Sequence, residues 1–178
     1  MSVHLREAVF PDDEPAIAAI DTSFTTDTIY AVGFDREHEA LTLNPETIDP
    51  PVTKRFPIDG LGGWRAWEHG WVACEDERIV GFVAWRMQPW NKHVIVWHLY
   101  VDRPARGNGA GGALLDHAIG DGIVRGATIA WLETSNLDHP AVQWYRRRGF
   151  EISGVDLTRY EQYAPGEVAL YLSRRLGP

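Results

Sequence analysis

Alternating apolar and polar positions, broken by glycine- and proline-rich stretches, divide the chain into short strands and a few helices. His4–Val9 predicts a first strand, and Pro11-Asp12-Asp13-Glu14 then opens a helix to about Ile20, its acids at the positive end of the helix dipole. From Asp21 to Gly63 the periodicity fails. Thr and Asp clusters, Pro50-Pro51, Pro57 and Gly60 to Gly63 predict loops or short strands there. Trp71–Cys74, Ile79–Met87 and Val94–Val101 predict three strands, the first two joined by Glu75-Asp76-Glu77-Arg78, with Pro89-Trp90-Asn91 as the next turn. Leu115, Ile119 and Ile123 recur at helical spacing in a helix that starts near Gly109 and ends by Gly126. Thr128–Glu133 predicts a further strand, Pro140–Arg148 a helix closed by Gly149, and Phe150–Asp156 and Val168–Ser173 the last two strands. Strands bracketing two well-marked helices predict a mixed α/β (α+β) fold with mostly antiparallel neighbours, in one domain spanning residues 1–178.

Composition narrows the function. The 178 residues are 44% hydrophobic, enough for one core, and carry 17 Lys plus Arg against 25 Asp plus Glu, a net charge of −8. Residues 1–60 hold 4 of the basic and 12 of the acidic residues, so all the net negative charge belongs to the first third. This disfavours nucleic acid, whose phosphates need a Lys/Arg excess, and favours a cationic partner. No apolar run approaches the ~20 residues that span a bilayer, and the first ten residues lack a signal-peptide pattern. A cytoplasmic location away from membranes is expected. Cys74 is the only cysteine, which excludes an internal disulfide and a Cys-rich zinc site, and no metal is expected.

The strongest motif is Arg106-Gly107-Asn108-Gly109-Ala110-Gly111-Gly112, between a predicted strand and a helix. Glycines let backbone come close to a ligand, and free amides at a helix start attract anions, so a pyrophosphate fits. A purely structural tight turn is the alternative. No Gly-Lys-Ser/Thr follows and no βαβ unit opens the chain, which excludes a nucleotide-triphosphate loop and a dinucleotide fold. Arg103 and the run Arg146 to Arg148 add nearby cationic charge.

Val101 through Gly111, followed by Leu114-Leu115, resembles the R-x-x-G-x-G/A signature of the GNAT superfamily of N-acetyltransferases. Leu132-Glu133-Thr134-Ser135-Asn136 and Ala141-Val142-Gln143-Trp144-Tyr145-Arg146-Arg147-Arg148-Gly149-Phe150 resemble its second block. Residues 20–28 and 49–57, Gly81-Phe82-Val83, Trp90-Asn91 and, in the tail, Gly154 through Tyr160, Glu167 and Ala169-Leu170-Tyr171 resemble the streptothricin (nourseothricin) acetyltransferase family in particular. The resemblance implies a mixed, largely antiparallel sheet with splayed central strands, and acetyl transfer from acetyl-CoA to a primary amine. That amine would belong to a small cationic molecule, possible antibiotic resistance being the role. Acetylation of a peptide or protein amine, and a non-catalytic acyl-CoA sensor, are the alternatives.

The resemblance also assigns residues. Leu99, Tyr100 and Val101 would contact the pantetheine, and Arg106, Gly107, Asn108, Gly109, Ala110 and Gly111 the pyrophosphate. Asn136 would orient the cofactor, and Tyr145 would protonate the leaving sulfur unless it is only core packing. Residues 94–150 thus form the expected acetyl-CoA core, and residues 1–60 the acceptor side. The base is open. Where relatives are expected to carry acids, this chain has Trp97, His98 and Tyr100; His98 suits a proton acceptor, with a hydrogen-bonded core histidine as the other reading. A water chain ending on Glu133 is a further route, and Glu133 itself either lines the acceptor site or makes a structural pair. Asp138 replaces an expected second asparagine. Trp85, Trp90 and Trp97 offer aromatic surface to a cation, and Asp21, Asp27, Asp35, Glu37 and Glu39 are the acids expected near it. The state is expected to be a monomer or homodimer.

Overall fold

The computed structural model describes residues 3–177. In chain order its elements are β1 (Val3–Glu7), α1 (Glu14–Ala18), β2 (Phe24–Asp35), β3 (Ala40–Lys54), β4 (His69–Glu75), β5 (Arg78–Gln88), β6 (His93–Val101), α2 (Ala110–Val124), β7 (Ile129–Ser135), α3 (His139–Arg146), β8 (Glu151–Asp156) and β9 (Ala169–Arg175). They fall into two compact units. Unit 1 comprises residues 3–23, 55–131 and 175–177, and unit 2 comprises 24–54 and 132–174.

In unit 1 the strands lie in the order β1-β4-β5-β6, each antiparallel to the next, with the first half of β7 beyond β6. One side of this sheet carries α2, which buries Leu114, Leu115, Ala118 and Ile119. Ile123, the third member of the predicted apolar stripe, is exposed in the last turn of the helix, which ends at Val124 and is capped by Arg125. The other side packs Ile17, Ile20, Leu61, Trp67, Phe82 and Ala84, with Phe10, Ile58 and Tyr100 against them. Arg6 seals the start of α1. Its two terminal nitrogens donate to Asp13 at 2.6 and 2.8 Å, and this guanidinium holds the Asp13 carboxyl below the usual range.

A one-residue slip between β5 and β6 decides what faces each side. Trp85 pairs with Val96, but Ala84 pairs with His98, leaving Trp97 as an extra residue in β6. Even-numbered positions therefore change side at Trp97. Val94 lies against Gly122 of α2, and Val96 pairs with Trp85, whose ring meets His117 of α2. Beyond the bulge, His98 and Tyr100 pair with Ala84 and Phe82 in the opposite core. Simple alternation along Val94–Val101 did not anticipate this change of side.

In unit 2 the rest of β7 is followed by β9 and then β8, with β8 and β9 antiparallel, and α3 between β7 and β8 in sequence. The unit also holds the largest departure from the sequence reading. Residues 24–54 form a two-stranded antiparallel hairpin with strands of 12 and 15 residues, in place of the predicted loops or short strands. A ribbon with one core-facing side and exposed residues along most of β3 leaves little hydrophobic periodicity. Pro45, Pro50 and Pro51 are tolerated because β3 pairs only with β2. The hairpin is tied down by Tyr30, whose N–H and carbonyl bond Asn136, and by Lys54, which pairs with Glu167.

Packing of α2 on β6 rests on the missing side chain at Gly122, where an added Cβ would lie 2.7 Å from Val94 Cβ. Gly122→Ala is predicted to overpack this contact and cost about 1–3 kcal/mol, read as a lower urea midpoint at unchanged slope. An unaltered midpoint would show that the contact does not set the helix position.

Candidate active site

Within unit 1 the phosphate-loop candidate is a strand, a short turn and a helix. β6 leads through the turn Arg103–Ala105 into Gly107 and Gly109, which adopt φ of 90° and 91°, and α2 begins at Ala110. Left-handed backbone favours glycine, and a Cβ at either position would meet nothing within 4 Å. Space is therefore open where the backbone is most accessible. No side chain caps the start of α2, so Ala110 and Gly111 open a 15-residue helix whose first amides suit an anion. These features fit a pyrophosphate.

The side chains of the motif do other work. Arg106 donates from Nε to Val101 O at 3.0 Å, from Nη1 to Ser23 O at 2.6 Å and from Nη2 to Asp21 O at 3.0 Å. It clamps the 21–23 segment to the end of β6. Asn108 donates to Glu75 Oε1 at 3.1 Å. Arg106 and Asn108 thus shape the loop, leaving the glycine backbone amides as the groups suited to an anion.

Leu99, Tyr100 and Val101 end β6, opposite Val83, Phe82 and Gly81. His98, just past the bulge, is 7% exposed, with Phe82 and Tyr100 rings 6.2 and 5.9 Å away. Its Nε2 lies 2.9 Å from Asp59 O, while Nδ1 is buried with no hydrogen-bond partner. Burial pushes its pKa down, opposed in part by the bond to the Asp59 carbonyl and the Asp59 charge. The ring is therefore neutral near pH 7 and able to accept a proton.

Unit 2 gathers Glu133, Asn136 and Tyr145. Glu133 accepts from Tyr160 Oη at 2.9 Å and from Arg159 Nε at 3.2 Å. Burial and the neighbouring Glu133 charge raise the pKa of Tyr160, keeping it a donor. Asn136 is a buried clamp, its Nδ2 donating to Tyr30 O at 2.9 Å and its Oδ1 accepting from Val168 N at 2.8 Å. Asp138 caps α3 by accepting from Ala141 N at 3.1 Å, a task to which its carboxylate is well suited. Tyr145 is buried on α3, its ring edge-on to Trp144 and Phe150 at 5.0 and 5.5 Å.

The remaining candidates separate. Trp85 is a core residue at 1% exposure, Trp97 lies under Arg86 at 5.7 Å, and Trp90 is exposed on a turn. Asp21 belongs to unit 1, and Asp27, Asp35, Glu37 and Glu39 to the hairpin of unit 2. Asp35 holds His38 at 2.9 Å, which lowers its own pKa. Sequence reasoning missed Asp59, Arg159 and Tyr160, the partners of His98 and Glu133. The only signal for Asp59 was the adjoining glycine-rich run. Among the described residues no group of three or more His, Cys, Asp and Glu is placed to hold a metal, and no helix is long and apolar enough to cross a membrane.

A mixed, mostly antiparallel sheet with a glycine turn opening α2 after β6 defines an acetyltransferase fold, and the acetyltransferase (GNAT) family model matches residues 37–150. The chain belongs to that family and is an acyltransferase. It is 37% identical to the streptothricin acetyltransferase of Streptomyces lavendulae, covering 92% of this chain and 90% of that one. The crystal structure of nourseothricin acetyltransferase superposes with a TM-score of 0.89 at 36% identity, covering 99% and 100% of the two chains. A Bacillus anthracis str. Ames protein solved in complex with acetyl coenzyme A shares the fold, with a TM-score of 0.79 at 22% identity over 98% and 100%.

Because both polar ends of Asn136 hold main chain, Asn136→Ala is predicted to cost about 1–3 kcal/mol. Its unfolding midpoint should fall while acetyl-CoA affinity changes by less than about threefold. A large loss of affinity in a fully stable variant would instead make Asn136 a direct cofactor ligand.

Proposed function

We propose that the enzyme acetylates a primary amine of a small cationic molecule, with streptothricin-type antibiotics as the substrate class and resistance as the role. The observation that carries this reading is the 37% identity to the Streptomyces lavendulae streptothricin acetyltransferase. Its 92% coverage of the chain is too extensive to leave out the acidic first third.

Acetyl-CoA supplies the thioester carbonyl. Backbone amides of Gly107 to Gly111 hold the pyrophosphate, aided by the start of α2, while Arg106 and Asn108 keep the loop in shape. The main chain of Leu99, Tyr100 and Val101 lies along the pantetheine, and an amide there donates to the carbonyl oxygen as charge develops. One such donor contributes roughly 10²–10³-fold in rate.

An ammonium is not a nucleophile, so His98 Nδ1 takes its proton. That nitrogen is buried, so the transfer requires a water to enter beside it. The amine nitrogen then bonds to the acetyl carbon as the carbon–sulfur bond breaks, the Tyr145 hydroxyl protonates the departing sulfur, and the second proton shed by the nitrogen returns through water to the Tyr145 phenolate. Glu133, held by Tyr160 and Arg159, contributes negative charge for the cationic acceptor.

Mass spectrometry of streptothricin incubated with enzyme and acetyl-CoA is expected to show the mass gain of one acetyl group, with matching release of CoA. Turnover of peptide amines with none on streptothricin would overturn the substrate class. Tyr145→Phe is predicted to lower kcat by about 10²-fold while the KM for acetyl-CoA stays within about threefold. An unchanged kcat would remove Tyr145 as the acid.

A further inference from the structure

We propose that the main-chain carbonyl of Asp59, held in place by left-handed backbone at Gly60, is a positioning group that fixes His98 as its Nε2–H tautomer and leaves Nδ1 as the proton acceptor. This rests on the reading of His98 as the base.

The argument begins with hydrogen-bond polarity. A carbonyl only accepts, so a ring nitrogen 2.9 Å from Asp59 O carries the proton. In the neutral imidazole the other nitrogen then holds the lone pair. Nothing else selects the tautomer, since Nδ1 is buried without a partner. The same bond persists once Nδ1 has taken a proton. It is then charge-assisted and stronger, so Asp59 O favours the protonated product as well as the starting tautomer.

The orientation of that carbonyl depends on the peptide between Asp59 and Gly60. Gly60 has φ of 71°, which an L residue adopts only with strain. A Cβ there would lie 3.4 Å from Trp64 O and 3.9 Å from Trp67 Nε1, so space is sufficient and the constraint is one of backbone conformation. A substitution at Gly60 can therefore turn the carbonyl without filling the core. The groups around His98 are few. Asp59 also brings its carboxylate, Tyr100 lies on the same strand, and the Arg65 guanidinium stacks 3.8 Å above Phe10 and 4.7 Å above Trp67, both in the core that His98 joins. β5 contributes Phe82 and Ala84, and α1 contributes Ile17, none of which titrates.

The test uses the whole enzyme with nitrogen-15-labelled histidine. A long-range proton–nitrogen correlation spectrum near pH 7 identifies the His98 tautomer, its signals assigned by their loss in His98→Gln. The expected result is Nε2–H in the wild type, and a mixture of tautomers in Gly60→Val. In the same variant, loss of the carbonyl bond should move the acidic limb of the kcat/KM profile to lower pH. It should also cut kcat by about tenfold, with the KM for acetyl-CoA within about threefold. Gly60→Ala, the milder change, should shift both readouts in the same direction if Gly60→Val does not fold. A wild-type Nδ1–H tautomer overturns the positioning role, whatever the kinetics. If His98→Gln keeps the wild-type pH profile while the wild type shows Nε2–H, the base reading fails instead, and the inference with it.

Discussion

The slip of one residue between β5 and β6 is the constraint on which the rest of unit 1 depends. A strand presents its side chains with a period of two, and β6 must serve two cores of different composition. Before Trp97 its even positions pack valines against α2; after it they offer His98 and Tyr100 to the core that holds Phe82 and Ala84. Without the extra residue, the His98 imidazole would be directed at the helix. With it, the strand ends in the glycine turn with His98 already facing Asp59. Bulges disturb the ladder locally, so the same residue that changes the side also loosens backbone pairing where the pantetheine is proposed to lie.

A second theme is the division of labour between side chain and backbone. Arg106, Asn108 and Asn136 look from their motifs like cofactor contacts. In the structure each bonds protein: three carbonyls for Arg106, Glu75 for Asn108, and the Tyr30 carbonyl and Val168 N–H for Asn136. Backbone approaches an anion closely only when it is held in an unusual conformation, and Arg106 and Asn108 hold the turn that carries Gly107 and Gly109. A motif residue can thus shape a turn while its own atoms bond mainly to protein.

Most strands and both long helices were legible, because Ile79–Met87, Val94–Val101 and the Leu115–Ile119 spacing carry strong periodicity and glycines mark their ends. The hairpin at 24–54 was not. Its stability comes from Tyr30, Asn136, Lys54 and Glu167, contacts across more than a hundred residues that leave no local pattern. The glycine turn, His98, Glu133 and Tyr145 were readable as chemistry. Their settings were not, since Asp59 acts through a backbone carbonyl and Arg159 and Tyr160 through an irregular segment. The acidic first third, which suggested one wall around a cation, is divided between Asp21 in one unit and the hairpin acids in the other.

Amide hydrogen exchange across β6 and the glycine turn, with and without acetyl-CoA, tests the central claim most directly. The account predicts faster exchange at Trp97 than at Val94 in the free enzyme, and slowing at residues 97–101 and 107–112 when acetyl-CoA is added. Slowing elsewhere with no change in those two stretches would contradict it.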